Sequence, residues 1–150
     1  MLKEIVEKGH YCFVEKVDSW QDAIRQSYAP LLKDNTVENE YVEAVIECVN
    51  KYGPYIVIVP GIAMPHSTEG AAGCNGTAIS FMKVEEEVDF DPEDPDKKAK
   101  LFFSLAAIDH DQHIQNIQSL MDTLMNEDIV EALMNAKTKG DLEEIADQYE

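Results

Sequence analysis

Arginine is almost missing from this chain. Arg25 is the single one among 12 basic residues, which face 30 acidic residues for a formal net charge of −18. So acidic a surface repels phosphate backbones and anionic lipid, which argues against nucleic acid partners and direct membrane insertion and favours a basic protein partner. Cysteine is also scarce: Cys12, Cys48 and Cys74 are odd in number and form neither a CxxC pair nor a zinc spacing. They read as free core thiols in a reducing compartment. No apolar run approaches the roughly 18 residues of a membrane helix. Met1-Leu2-Lys3-Glu4-Ile5 lacks the basic and apolar parts of a secretory signal. The expectation is a soluble, cytoplasmic protein. The chain carries no P-loop, GxGxxG or kinase motif, which argues against a nucleotide as direct phosphate donor.

What is present fits one α/β domain spanning 1–150, a mixed β-sheet flanked by helices, with 45% apolar residues to fill a core. His10 to Val17 reads as a strand, with helix as the alternative. Asp18 or Ser19 caps a helix bearing Trp20, Ala23, Ile24, Ser27 and Leu31 on one face. Thr36 is the expected cap of a second helix, with Tyr41, Val42, Val45, Ile46 and Val49 inward and Gly53-Pro54 as its stop. Tyr55 to Val59 is an uninterrupted β-branched run and predicts a central strand buried on both faces. Pro60 to Gly76 reads as one long loop, a length that usually carries function. Strands are expected over Thr77–Val84 and Leu101–Ile108, with Val88-Asp89-Phe90 a short edge piece. The acidic stretch from Glu85 to Asp96 reads as a solvated loop. Asp109 or Asp111 opens a helix with Ile114, Ile117, Met121 and Leu124 inward. Two further helices begin near Asn126 and Thr138.

The chemistry concentrates at Pro60-Gly61-Ile62-Ala63-Met64-Pro65-His66-Ser67. From Gly53 to Met82 the only charged side chain is Glu69. Pro60 and Pro65 restrict the residues before them to extended geometry, so His66 stands on a braced segment. Gly61 permits close backbone approach, and its amide with those of Ile62 and Ala63 is a candidate anion cradle. His113 lies in the first turn of its predicted helix, just after Leu101–Ile108. If that strand runs parallel to Tyr55–Val59, both histidines leave the same sheet edge, where ligands bind in open α/β sheets. Two imidazoles, backbone amides and the Ser67 hydroxyl suit phosphoryl transfer, in which neutral nitrogen attacks phosphorus and donors receive the charge. Arg25 belongs to an early helix and supplies no clamp there.

Competing readings remain. Asp109, His110 and His113, joined by His66, offer zinc-type ligands, although their spacing matches no strong metal signature. A Ser–His–Asp scheme fits less well, because Ser67 directly follows His66 and no GxSxG elbow is present.

Gly61-Ile62-Ala63-Met64-Pro65-His66 resembles the active-site signature of the mannitol/fructose-type IIA components of the bacterial phosphoenolpyruvate:sugar phosphotransferase system. The similarity extends to Trp20-Gln21-Asp22-Ala23-Ile24-Arg25, to Tyr52-Gly53-Pro54-Tyr55 and the run up to Pro60, to Leu105-Ala106-Ala107-Ile108-Asp109 with His113, and to Ala136-Lys137-Thr138 before Asp141-Leu142. The Tyr-Gly-Pro-Tyr version looks more like the ascorbate-type branch, whose sugar is ascorbate-like, than the classical mannitol one. The resemblance implies that family's fold and no cofactor. It implies that a histidine-containing phosphocarrier protein phosphorylates His66, and that His66 passes the group to a cysteine of a cognate IIB component serving a membrane IIC permease. His113 matches the family's second histidine, which helps bind the phosphoryl group. Where many members carry an arginine-glutamate pair, this chain reads Glu47-Cys48-Val49-Asn50. His110 has no family counterpart and reads as a capping or solvent-exposed residue. A phosphohistidine-based regulatory module, acting on a partner protein instead of a transporter, is the alternative use of the same chemistry.

Overall fold

In chain order the computed structural model, which describes residues 1–150, runs α1 (Leu2–Lys8), β1 (Tyr11–Val14), α2 (Trp20–Lys33), α3 (Asn39–Tyr52), β2 (Val57–Val59), β3 (Gly61–Ala63), β4 (Ala78–Asp89), β5 (Lys98–Ala106), α4 (His110–Leu124), α5 (Glu127–Asn135) and α6 (Lys139–Tyr149). The strands form one mixed sheet in the order β1-β4-β5-β3-β2. β4 and β5 are antiparallel at its centre, β1 joins β4 in parallel, β3 joins β5 in parallel, and β2 returns antiparallel on β3. The expected single α/β domain with a mixed, helix-flanked sheet is what the chain builds.

Period-two alternation along β5 divides the core. Phe102 and Ala106 face α2 and α3, together with Ile24, Tyr28, Val42, Val45 and Ile46. Leu101, Phe103 and Leu105 face the other way, toward Leu2, Leu120, Leu133 and Leu142 on the remaining helices. Phe81, Phe102 and Phe103 are fully buried, and each such side chain contributes about 1.5–3 kcal/mol. Ser27 and Ser104, buried between α2 and β5, satisfy one another: the Ser104 hydroxyl donates to Ser27 Oγ at 2.6 Å, and Ser27 donates to the Ile24 carbonyl at 2.7 Å.

Local chemistry sets most boundaries. Ser19, Asp109, Asn126 and Thr138 each accept an amide of the helix they begin, and Thr138 with Asp141 forms a capping box. Pro30 lies within α2 and has no N–H for the Gln26 carbonyl. The Cys12 thiol donates to that carbonyl instead, at 3.7 Å. All three cysteines are free thiols.

Five expectations are corrected. Tyr55–Val59 is no central strand: only Val57–Val59 is extended, and it lies at the sheet edge. The loop expected from Pro60 begins instead with a tight turn. Gly61 takes φ 95 after Pro60, the geometry of a Pro-Gly turn, and Gly61–Ala63 pairs with Ala99–Phe102. Val88 and Asp89 belong to β4, which continues past an irregularity after Lys83, and the strand takes in the first half of the acidic stretch. Thr36 caps nothing; its hydroxyl donates to Asp34, and Glu38 precedes α3 without a side-chain cap. On α4, Ile117 and Leu124 pack against the core as expected and Leu120 is fully buried between them, while Ile114 and Met121, at the margins of that face, are exposed.

Candidate functional site

Two adjacent parallel strands, β3 and β5, carry the chain out of the same sheet edge. The parallel partner of β5 is β3 and not the Tyr55–Val59 run, yet the consequence for the histidines is the one anticipated. Met64 N–H donates to the Ile56 carbonyl at 2.7 Å, and Leu105 N–H donates to the Pro65 carbonyl at 2.9 Å. His66 comes immediately after these two anchored residues. Beyond β5, Asp109 accepts the Gln112 amide at 2.8 Å and starts α4. His113 sits in the first turn, and its ring centre lies 5.5 Å from that of His66.

Three tyrosines hold this edge together. Tyr28, fully buried on α2, places its hydroxyl 2.9 Å from the Pro65 carbonyl and 2.8 Å from that of Leu105, bridging the exits of β3 and β5. The Tyr41 hydroxyl accepts the Ser67 amide at 3.2 Å and donates to the Leu105 carbonyl at 3.3 Å. Tyr55 donates its hydroxyl to the His66 carbonyl, and its ring meets the imidazole edge-on with centres 5.2 Å apart. On the α4 side Thr77 donates to Gln112 Oε1 and Asn116 Nδ2 donates to the Ala106 carbonyl at 3.0 Å, so the helix carrying His113 is tied to the sheet by polar contacts.

The tautomer of His66 is set by its partner. Its Nδ1 lies 2.6 Å from the Met64 carbonyl, which can only accept, so Nδ1 bears the proton and Nε2 keeps its lone pair. Burial lowers the His66 pKa, the Met64 carbonyl opposes that, and His113 lowers it further. His113 is also lowered, by burial first and then by His110. The result is a neutral imidazole with a free nitrogen, the form that attacks an electrophile.

That nitrogen belongs to a pocket of about 330 Å³ whose walls include Tyr41, His66, Ser67, Thr68, Asp109, His110 and His113. No lysine or arginine lines it, and Asp109 is its one carboxylate. Arg25 is committed elsewhere, to Glu43 at 3.0 and 3.2 Å. Cys48 lies behind the loop, its sulfur 3.7 Å from both Ser67 Oγ and Thr68 Oγ1.

The structure therefore brings His66, Ser67 and His113 together and leaves Gly61, Ile62 and Ala63 out. Those three stand in β3, paired with β2 and β5, with Ile62 and Ala63 buried, and do not line the pocket. Being part of the sheet ladder, they are no cradle of free amides. His110, read from sequence as a capping or solvent-exposed residue, is exposed, the first residue of α4 and a wall of the pocket, whereas the cap is Asp109. The His/Asp donors form no group of three arranged for a metal ion. Tyr28 was not singled out from the sequence, and Tyr41 and Tyr55 were read only as positions on an inward helix face and an apolar strand. Their one signal was a hydroxyl on an otherwise apolar helix face or strand run.

A five-stranded mixed sheet flanked by helices, with two histidines beside one another at a parallel-strand edge, has the architecture of phosphotransferase-system IIA folds. Residues 4–149 match the family described as phosphoenolpyruvate-dependent sugar phosphotransferase system, EIIA 2, and the chain belongs to that family. The mannitol-specific cryptic phosphotransferase enzyme IIA component of Escherichia coli strain K12 is 34% identical over 144 residues, 96% of each chain. An ascorbate-specific PTS system EIIA component of Salmonella typhimurium is 30% identical over 131 residues, covering 85% of this chain and 84% of its own length. The mannitol IIA enzyme of Escherichia coli, solved in complex with phosphorylated mannitol IIB, superposes with a TM-score of 0.76 at 30% identity, covering 91% of this chain and 92% of that one.

Proposed function

We propose that this chain is a phosphoryl carrier in which Nε2 of His66 accepts a phosphoryl group from the histidine-containing phosphocarrier protein and yields it to a cognate IIB component serving a membrane IIC permease in sugar uptake. The single observation that carries this reading is the Nδ1–Met64 hydrogen bond, which leaves Nε2 as the free nitrogen beside His113. In the forward step Nε2 forms a new P–N bond while the donor's bond to phosphorus breaks and its electron pair returns to the donor nitrogen. Nδ1 keeps its proton throughout, donated to the Met64 carbonyl, so no base is required. His113 and the Ser67 hydroxyl are the donors nearest the incoming oxygens. A protein donor also needs a landing surface. Ile108, Ile114 and Met121 are exposed on and just before α4, beside the pocket, on a chain of charge −18 that attracts basic partners.

The test is incubation with phosphoenolpyruvate, the general phosphotransferase proteins and this chain, then mass spectrometry. One acid-labile phosphate on the His66 peptide is expected, with none in His66→Ala. An acid-stable phosphate, pointing to Ser67, or a labelled His66→Ala protein overturns the assignment. His113→Ala should fold normally but transfer more slowly, since one donor to a charged oxygen is worth about 2.7–4 kcal/mol in oxyanion-type sites.

A further inference from the structure

A phosphoryl group on His66 brings up to two negative charges, of which the ring that keeps its Nδ1 proton offsets one, into a pocket with no lysine, no arginine and one carboxylate, Asp109. Hydrogen bonds from neutral donors do not cancel that charge, and the protein as a whole, at −18, adds to the repulsion. Only an imidazole can supply a positive charge from the pocket walls, because it is the side chain that gains a proton between pH 5 and 8. Three are present: His66 itself, His113 and His110. Burial separates the last two. His113 is half-buried and its charged form is disfavoured first by that burial. His110 is exposed at the first position of α4, where the helix dipole disfavours a cation but water solvates one. It still forms part of the pocket wall, so the charge that draws a proton there must come from the phosphoryl group.

We propose that His110 is a second phosphoryl-binding imidazole, which takes up a proton when His66 is phosphorylated and supplies the positive charge that no guanidinium brings to this site. The proposal rests on the phosphocarrier reading of His66. The groups that face His110 fit the role. Asp109 and Asp111 flank it on its own element, with the Asp109 carboxylate held by Gln112, and the phosphoryl oxygens on His66 would add negative charge to the same pocket. Tyr41, from α3, is neutral in this range, and its hydroxyl is engaged with Ser67 and Leu105. His113, whose charged form burial disfavours, adds no competing positive charge beside it. No bond to phosphorus is made by His110. Its proton comes from solvent and returns there when the group leaves.

The experiment measures single-turnover transfer from the phosphorylated phosphocarrier to the wild-type chain and to His110→Ala, His110→Gln and His110→Lys, from pH 5.5 to 8.5. His110→Ala and His110→Gln should be roughly tenfold slower near neutral pH, the order expected for one charge-assisted hydrogen bond. His110→Lys should recover most of the rate and hold it at alkaline pH, where the wild type declines. In 15N spectra at pH 7, the His110 ring should move toward the imidazolium pattern on phosphorylation of His66. Wild-type rates in His110→Ala at every pH, or a lysine variant no faster than the glutamine one, overturn the proposal. If the wild type itself takes no label on His66, the phosphocarrier reading fails first. Normal labelling with wild-type rates in all variants sinks the role of His110 alone.

Discussion

Nδ1 of His66 donates to the carbonyl of Met64, two residues back, at 2.6 Å. This bond fixes both the tautomer and the direction of the free nitrogen, and burial then keeps the ring neutral. The neutral ring has consequences for pH. A folded pKa below the unfolded value means that the unfolded chain binds the proton more readily. The stabilisation from His66 is therefore complete above about 6.5, the ordinary imidazole value, and is lost as pH falls through the lowered folded value. NMR titration of the His66 ring should give a midpoint below about 6.5. His66→Asn should lose stability less steeply than the wild type between pH 7 and pH 5. A midpoint above the ordinary value would contradict the burial argument.

Tyr28 makes the hydroxyl bridge between the Pro65 and Leu105 carbonyls from a fully buried position. Tyr28→Phe keeps the ring and its edge-on contact with Tyr41 but removes the only proton that the bridge uses. Leu105 N–H still serves Pro65, so one acceptor stays satisfied and the other loses its strongest donor. A loss of about 1–2 kcal/mol is expected by urea denaturation. Phosphoryl uptake should slow as well, because the bridge joins the two strand exits that lead to His66 and His113. Unchanged stability would show that buried water replaces the hydroxyl.

The helices of this fold were legible because their signals are local. Ser19, Asp109, Asn126 and Thr138 cap the helices they precede, and apolar spacing marks the inward faces of α2 and α3. The sheet edge was not legible. Three residues give no periodicity to read, so Gly61–Ala63 passed as loop; only its pairing with β5, nearly 40 residues later (Ile62 with Leu101), makes it a strand. The same error produced the amide cradle. His66 and His113 were readable from a proline-braced segment and a helix start. The tyrosine bridges were not, since a buried hydroxyl declares itself only when its carbonyl partners, 37 and 77 residues away in the case of Tyr28, come into view.

Gly73 offers a test of how the pocket's far wall is seated. Its φ is 90, and a Cβ there would lie 2.7 Å from the backbone nitrogen of Tyr41. Its carbonyl also accepts the Glu38 amide at 2.8 Å, just before α3. Neither the left-handed backbone nor the helix start can move cheaply, so Gly73→Ala should destabilise by about 1–3 kcal/mol. Thermal denaturation checks this. Because Tyr41 holds the Ser67 amide, the variant should also show shifted amide signals at Ser67. A stability equal to wild type would mean that the 70–74 segment relaxes freely away from α3.

The exposed apolar side chains of α4 separate docking from chemistry. Ile114 and Met121 lie two helical turns apart on the same helix as His113, 39% and 42% exposed, and neither belongs to the pocket wall. Their charge replacement leaves the core intact, since Leu120 holds the helix to the sheet. Ile114→Glu combined with Met121→Glu should therefore keep the melting temperature within a few degrees. A landing protein, however, would have to desolvate two carboxylates on a surface that is already acidic. The expected signature is a KM for the phosphorylated phosphocarrier raised by about tenfold or more with kcat little changed, the pattern of lost ground-state binding. Transfer from a small-molecule phosphoramidate, which needs no such surface, should proceed at the wild-type rate. An equal fall with both donors would place the damage at His113 instead of at the interface, and an unchanged KM would show that partners approach His66 from the opposite rim.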